Sequence, residues 1–257
     1  MNARRLEGVG VVVTRPRSAG EPLAAALMRE GAKAWLYPAL AIEDIEPDAH
    51  LGGLLAGLAR FDMAIFVSAN AVEKGLAAAR RIGPWPAALR VAAVGEATAQ
   101  ALRNSGIDRV ISPSDRHDSD ALLALAQLRD VKGRNIIVFR GEGGRERLKD
   151  VLEERGASVA YAQCYRRVRP EADPSALVAA LGRGQIHAVS ALSGETIENF
   201  VAMIGAEGVA RLASVTLVVP HEAVGAHPEA RRFARVVVAA HGAEGLIEAL
   251  TQVRATT

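Results

Sequence analysis

The chain is poor in cysteine and in lysine, and it has no long apolar run. A single cysteine, Cys164, excludes an intramolecular disulfide and any metal site built on clustered thiolates; its surroundings assign it to strand packing. No stretch approaches the ~20 apolar residues that a membrane-spanning helix needs, and residues 1–13 lack the apolar core and cleavage site of a secretion signal. The protein is therefore expected in the cytoplasm, with no membrane partner. Catalytic signatures are scarce too. There is no Gly-x-Ser-x-Gly elbow, no Gly-Lys-Ser/Thr phosphate loop and no dinucleotide fingerprint. His50, His117, His187, His221, His227 and His241 are scattered without metal-ligand spacing. Neither a metal nor a cofactor is expected.

Charge of either sign is nearly balanced. The formal net charge of +2 is too small to argue for nucleic acid as a partner. Lysine occurs only at Lys33, Lys74, Lys132 and Lys149, so the basic side chains are mostly arginines, the better partners of carboxylates and phosphates. A general compositional preference for arginine explains this equally well. With 257 residues, 50% of them hydrophobic and 23% charged, the chain reads as a globular protein of two ordinary domains.

What the sequence does contain is an internal echo. Residues 9–37, shifted by 125 positions, fall on residues 134–162, and Val13, Arg15, Glu21, Leu23, Leu27, Gly31 and Ala32 meet Val138, Arg140, Glu146, Leu148, Leu152, Gly156 and Ala157. Average composition gives about two such identities. Each copy reads as an apolar strand, an Arg-bearing loop, a helix, a glycine cap and a second strand. Any two strand–loop–helix units share that outline, but the coincidence of charged Arg and Glu favours duplication. Both copies continue as mixed apolar and β-branched stretches, 31–47 and 156–170, longer than an ordinary strand and ending at a proline. Pro38 interrupts the first of these, which predicts a bend or an edge position.

In chain order the pattern predicts a strand at 9–13, a helix at 21–30, a helix at 49–59 and a strand at 63–67. Ser68-Ala69-Asn70 then opens a helix from Ala71, and Ser68 and Asn70 read either as caps or as part of an anion site at the helix N-terminus. Further strands are expected at 90–94 and 109–111, a turn at 112–115 ending in Asp115, and a helix at 121–128. The second copy follows with a strand at 135–139 and a loop from Arg140 to Gly144. That loop is either a tight turn or a nest of backbone N–H groups flanked by Arg140, Arg145 and Arg147. Strands at 187–191, 214–219 and 235–239 alternate with helices at 175–181, 197–204 and 243–253. Alternation of this kind argues for parallel sheets, where ligands sit at the carboxyl ends of strands. Arg15 occupies such an end, as an anion partner or equally as a solvated loop residue.

The paired long stretches suggest how the halves connect. The predicted fold class is α/β, with two similar flavodoxin-like parallel-sheet lobes joined by a two-stranded linker and a cleft between them. Residues 1–38 with 169–257 form one lobe and 39–168 the other, with linker strands near 38–45 and 163–170. Tyr165 lies on a linker strand, where a tyrosine is usually a β-former but also offers a hydrogen bond.

The motifs Val13-Thr14-Arg15-Pro16, Phe66-Val67-Ser68-Ala69-Asn70, Ala93-Val94-Gly95-Glu96-Ala97-Thr98, Asp118-Ser119-Asp120-Ala121, Arg140-Gly141, Cys164-Tyr165-Arg166-Arg167 and Ser193-Gly194 occur in this order over nearly the whole chain. In that order and spacing the chain resembles the uroporphyrinogen-III synthase family. The resemblance implies two α/β lobes joined by a two-stranded ladder and a cofactor-free reaction. It also implies the substrate, hydroxymethylbilane, a linear tetrapyrrole carrying acetate and propionate groups. The ring-A hydroxyl leaves as water, ring D attacks through its substituted position, and a spiro intermediate rearranges so that the macrocycle closes with ring D inverted.

On this resemblance Tyr165 matches the tyrosine thought to assist departure of the hydroxyl, and Thr98 a threonine facing the cleft. Thr14, Arg15, Ser68, Asn70, Arg140, Ser193, Gly194 and His221 are the expected substrate-binding residues. The chain departs from the family at Pro220-His221-Glu222-Ala223, where a Thr or Ser is usual and His221 stands instead. A monomer is expected, with transient handover from the preceding and to the following pathway enzymes. Two other readings compete. One is a non-catalytic ligand-sensing domain of the same fold, disfavoured because the chain ends soon after its last helix; the other is a flavodoxin-like nucleotide protein, weakened by the missing phosphate loop.

Overall fold

The structure, a computed structural model, describes residues 4–114, 118–144, 146–240 and 242–254. Asp115, His117, Arg145 and His241 lie outside the described residues. The chain divides into two compact units, Met1–Ala41 with Val168–Thr257, and Ile42–Arg167.

The first unit opens with β1 (Gly10–Val13), α1 (Arg17–Arg29) and β2 (Lys33–Leu36). Helix α1 starts a turn earlier than the sequence predicts and carries Pro22 inside it, forgoing one backbone bond. The second unit comprises β3 (Ala41–Asp44), α2 (Ala49–Ala56), β4 (Met63–Phe66), α3 (Ala69–Ile82), β5 (Arg90–Ala93), α4 (Glu96–Asn104) and β6 (Val110–Ile111). It continues with α5 (Ser119–Leu123), α6 (Ala126–Arg129), β7 (Asn135–Gly141), α7 (Arg147–Glu154) and β8 (Ser158–Val168). The chain returns to the first unit with α8 (Ser175–Gly182), β9 (Ala188–Ser190), α9 (Gly194–Val209), β10 (Thr216–Val219), α10 (Glu222–Gly225), β11 (Arg235–Val238) and α11 (Gly242–Arg254).

The sheet order is β11-β10-β9-β1-β2 in the first unit and β3-β8-β7-β4-β5-β6 in the second. The pairs β1–β2 and β7–β8, which hold the two echoed segments, are both parallel. Their registers coincide under the same shift of 125: Gly10 opposes Lys33 as Asn135 opposes Ser158, and Val13 opposes Leu36 as Val138 opposes Tyr161. Gly31 and Gly156, the matched turn glycines, have φ of 94° and 84°, a left-handed conformation that only glycine adopts cheaply.

Strands β1, β4 and β10 are buried along their whole length because helices cover both faces of each sheet. In the first unit one core gathers around Phe200, Val12 and Leu217 beneath α8 and α9, and the other around Leu27, Val11 and Leu250 beneath α1 and α11. In the second unit Phe66 and Phe139 stack with ring centroids 4.5 Å apart on the α3 face. Gly75 of α3 admits that helix against the sheet, since a β-carbon there would lie 2.6 Å from the Phe139 ring.

The two extended stretches behave differently. The first breaks at Tyr37-Pro38-Ala39-Leu40, so β2 belongs to one sheet and β3 to the other. The second is one unbroken strand of 11 residues, β8. The helix expected at 121–128 is two short helices, α5 and α6, broken at Ala124-Leu125. Helix α9 runs on to Val209, past a break at Gly205, whose φ is 65°.

Candidate functional site

Ser68 follows β4 and caps α3: its hydroxyl oxygen accepts the Ala71 N–H at 3.1 Å. Such a cap frees the chain to turn sharply from strand to helix and satisfies one orphan donor of the first turn. The same oxygen lies 3.0 Å from the Tyr165 hydroxyl. A bulge in β8 makes that contact. Arg140 of β7 opposes Gln163, but the next residue, Gly141, opposes Tyr165, so Cys164 is the extra residue. Without the bulge, alternation would send Cys164 and Tyr165 to opposite faces; with it, both enter the core that contains Ala162, Phe66 and Phe139.

Tyr165 is buried, and its ring packs directly on Gly141, where a β-carbon would sit 2.7 Å from a ring carbon. Its backbone carbonyl accepts the Glu142 N–H at 2.8 Å, which ties the glycine loop to β8. Ser68, Tyr165, Arg140 and Gly141 border a cavity of about 450 Å³ within the second unit, with Tyr161 and Arg167 also on its wall.

Arg140 is buried at the end of β7, one residue further into the strand than the sequence predicts. Its guanidinium donates to Glu146 Oε1 at 3.1 Å and to the Gly143 carbonyl, and it lies over the Tyr161 ring, 4.3 Å from the centroid. The residue therefore ties Gly143 and Glu146 by charge-assisted bonds and β8 by its cation–π contact with Tyr161. Burial, aided by Glu146, pushes the Tyr161 phenol up to about 12. Arg147, expected beside this loop, pairs instead with Asp120 at 2.9 Å.

Two other expected residues of this unit stand apart. Asn70 is half-buried in the first turn of α3, and Thr98 is buried in the first turn of α4, beyond the end of β5; neither borders the cavity.

In the first unit Thr14 is fully buried, and its hydroxyl donates to the Ser190 carbonyl at 2.6 Å, joining the ends of β1 and β9. Arg15 borders a smaller cavity of about 220 Å³ at the ends of β1, β9, β10 and β11. Ser193 caps α9 by accepting the Thr196 N–H at 3.2 Å, the counterpart of Ser68 on α3. Gly194 lies against the His227 ring, 2.5 Å from where a β-carbon would be. His221 is exposed at the N-cap of α10 and makes no side-chain cap bond.

Sequence reasoning missed Tyr161 and Glu146 as the partners of Arg140. The echo held a partial signal, because Glu146 is the copy of Glu21; Tyr161 copies Leu36 and had none. Among the described residues no helix is long and apolar enough to cross a membrane.

Comparison with known proteins follows the same lines. The family model for uroporphyrinogen-III synthase HemD matches residues 21–248. The uroporphyrinogen-III synthase of Salmonella typhimurium is 38% identical over 161 residues, which span 62% of this chain and 65% of that protein, a little under two thirds of its length. The synthase of Synechococcus elongatus is 30% identical over 228 residues, 84% of each chain. Among solved structures, a mutant uroporphyrinogen III synthase from the extremely thermophilic bacterium Thermus thermophilus superposes with a TM-score of 0.63 over 97% of this chain and 100% of that one, at 19% identity, a likeness of fold. From the matched span and these relatives, the chain belongs to the uroporphyrinogen-III synthase family.

Proposed function

We infer that this protein closes hydroxymethylbilane to uroporphyrinogen III in haem biosynthesis. The observation that carries the reading is Tyr165 on the wall of a cavity of about 450 Å³ that Ser68 also borders, with their hydroxyls 3.0 Å apart, in a chain of this family. The reaction expels water from the ring-A hydroxymethyl group, which makes the enzyme a lyase. A phenol donating a hydrogen bond to that departing oxygen assists the bond to break, while the pyrrole nitrogen of the substrate supplies the electron pair. The remaining task is conformational. The linear substrate closes unaided to the uninverted isomer, so the protein must hold ring D for attack through its substituted carbon, a matter of orientation.

Cap residues and arginines suit a ligand with carboxylates on every ring, because many modest charge-assisted bonds fix each ring in turn. Ser68, Asn70 and Arg140 serve this role in the second unit, where Tyr165 and Thr98 are the catalytic residues, and Thr14, Arg15, Ser193, Gly194 and His221 serve it in the first. The protein works as a monomer in the cytoplasm, receiving its substrate from the enzyme that builds it and passing the product on.

The test is freshly made hydroxymethylbilane, with oxidised products separated by chromatography. Product that is mainly isomer III, with no metal or nucleotide added, supports the reading. Isomer I alone, from folded protein, would overturn it and favour the ligand-sensing alternative.

A further inference from the structure

The echo supplies an internal control for Arg15. Its copy, Arg140, is held by Glu146, by the Gly143 carbonyl and by the face of Tyr161. At the matching positions of the first unit stand Glu21 and Leu36. Glu21 pairs with Arg17 at 3.1 Å, and Leu36 offers no aromatic face. Arg15 is left with a buried Nε that has no hydrogen-bond partner among the described residues. Burial alone pulls its guanidinium below the ordinary arginine value, and no carboxylate among the described residues offsets it. A partly desolvated cation without a counter-charge among the described residues is costly, and an anion would reduce the cost.

The cavity beside Arg15 indicates which anion. Its walls are otherwise mostly apolar, with Leu192, Val218, Val219, Pro220 and Leu246 around one cation. A volume of about 220 Å³ is below the roughly 300–1,000 Å³ of sites for drug-sized ligands, yet several times the ~30 Å³ share of a water. It admits a short chain or one small ring and is far too small for a whole tetrapyrrole. One positive charge balances a monoanion, and apolar walls favour methylene groups over a fully hydrated ion such as phosphate.

We propose that this cavity in the first unit is a subsite for one aliphatic carboxylate arm, with Arg15 pairing its carboxylate and Leu192 and Val218 packing its methylene stem. Assigning the arm to an acetate or propionate of hydroxymethylbilane rests on the function inferred above.

The experiment follows the Arg15 Nε–H resonance of the full-length protein by proton–nitrogen NMR while propionate, and separately phosphate, is added. Propionate should shift the resonance saturably and phosphate should not. Leu192→Glu, a change at an exposed position that supplies a carboxylate from the cavity wall, should move the resonance without propionate and abolish the response. Arg15→Gln should raise KM for hydroxymethylbilane about 10- to 100-fold, the worth of one charge-assisted bond, with a smaller effect on kcat. Its Tm without ligand should not fall, because no internal partner is lost.

No response to propionate would overturn the proposal. An equal response to phosphate with unchanged KM would mean an adventitious ion only, and a lower Tm for Arg15→Gln would mean that the protein itself holds the guanidinium; either result overturns it. Should the wild-type protein make isomer I alone, the functional reading fails, while the propionate titration still decides whether the subsite exists.

Discussion

The Tyr165 hydroxyl and the Ser68 hydroxyl lie 3.0 Å apart, although 97 positions separate them in the chain. Ser68 already accepts the Ala71 N–H, so either its proton or its second lone pair makes the contact with the tyrosine hydroxyl. If Ser68 donates, the phenol proton is free to be given to a substrate oxygen.

Tyr165→Phe removes that proton and keeps the ring. General-acid assistance is typically worth 10²–10⁴-fold, but an ordinary phenol titrates near ~10 and is a weak acid. Turnover should fall about 10- to 100-fold with the isomer III preference retained. Single-turnover kinetics with hydroxymethylbilane checks this; wild-type turnover would reduce Tyr165 to a packing residue.

Ser68→Ala removes the α3 cap as well as the tyrosine contact. The cap alone is worth about 1 kcal/mol, so urea denaturation should show a loss of that order. In a double-mutant cycle with Tyr165→Phe, the activity losses should fall short of additive because both changes break the same hydrogen bond. Full additivity would place Ser68 outside the proton path.

Gly141→Ala tests the packing behind Tyr165. Gly141 is not in a left-handed conformation, so the new β-carbon acts only by meeting the tyrosine ring at 2.7 Å. Overpacking of this kind costs about 1–3 kcal/mol. Turnover should fall at least as far as in Tyr165→Phe, and the stability cost should shrink in a Tyr165→Ala background. An unchanged melting curve for Gly141→Ala would contradict the close approach.

Burial raises the Cys164 thiol from about 9 to about 12. Only the thiolate is nucleophilic, so native protein at pH 8 should resist thiol reagents that label the unfolded chain at once. The sign for stability follows from linkage. The unfolded chain loses this proton above pH 9 while the folded chain keeps it to about 12, so Cys164 lowers stability progressively across that window. Cys164→Ala should flatten the alkaline limb of a pH–stability profile; an identical slope would show that other groups set it.

Local pattern carried much of the fold. The apolar runs that became β1, β4 and β10, the cap at Ser68, and the echo whose registers coincide were all legible, because strand period, capping and turn glycines depend on residues a few positions apart. The family was legible for the same reason, since its motifs are short and sit at strand ends. Helix breaks were less so. A continuous apolar pattern from 121 to 128 does not reveal that α5 stops at Leu123.

The site was settled by long-range pairing. One extra residue in β8, Cys164, turns Tyr165 toward Ser68, and no periodicity marks where a bulge will fall, because its position is fixed by the register of a neighbouring strand. Thr14 and Arg15 are adjacent and equally polar, yet one is tied to the Ser190 carbonyl and the other borders a cavity with a buried nitrogen unsatisfied. Arg15 and Arg140 occupy matched positions, and their difference comes from what β2 and β8 place two residues back along the strand, Leu36 opposite Val13 and Tyr161 opposite Val138. Such contacts join residues far apart in sequence, so they exist only once the sheets have formed.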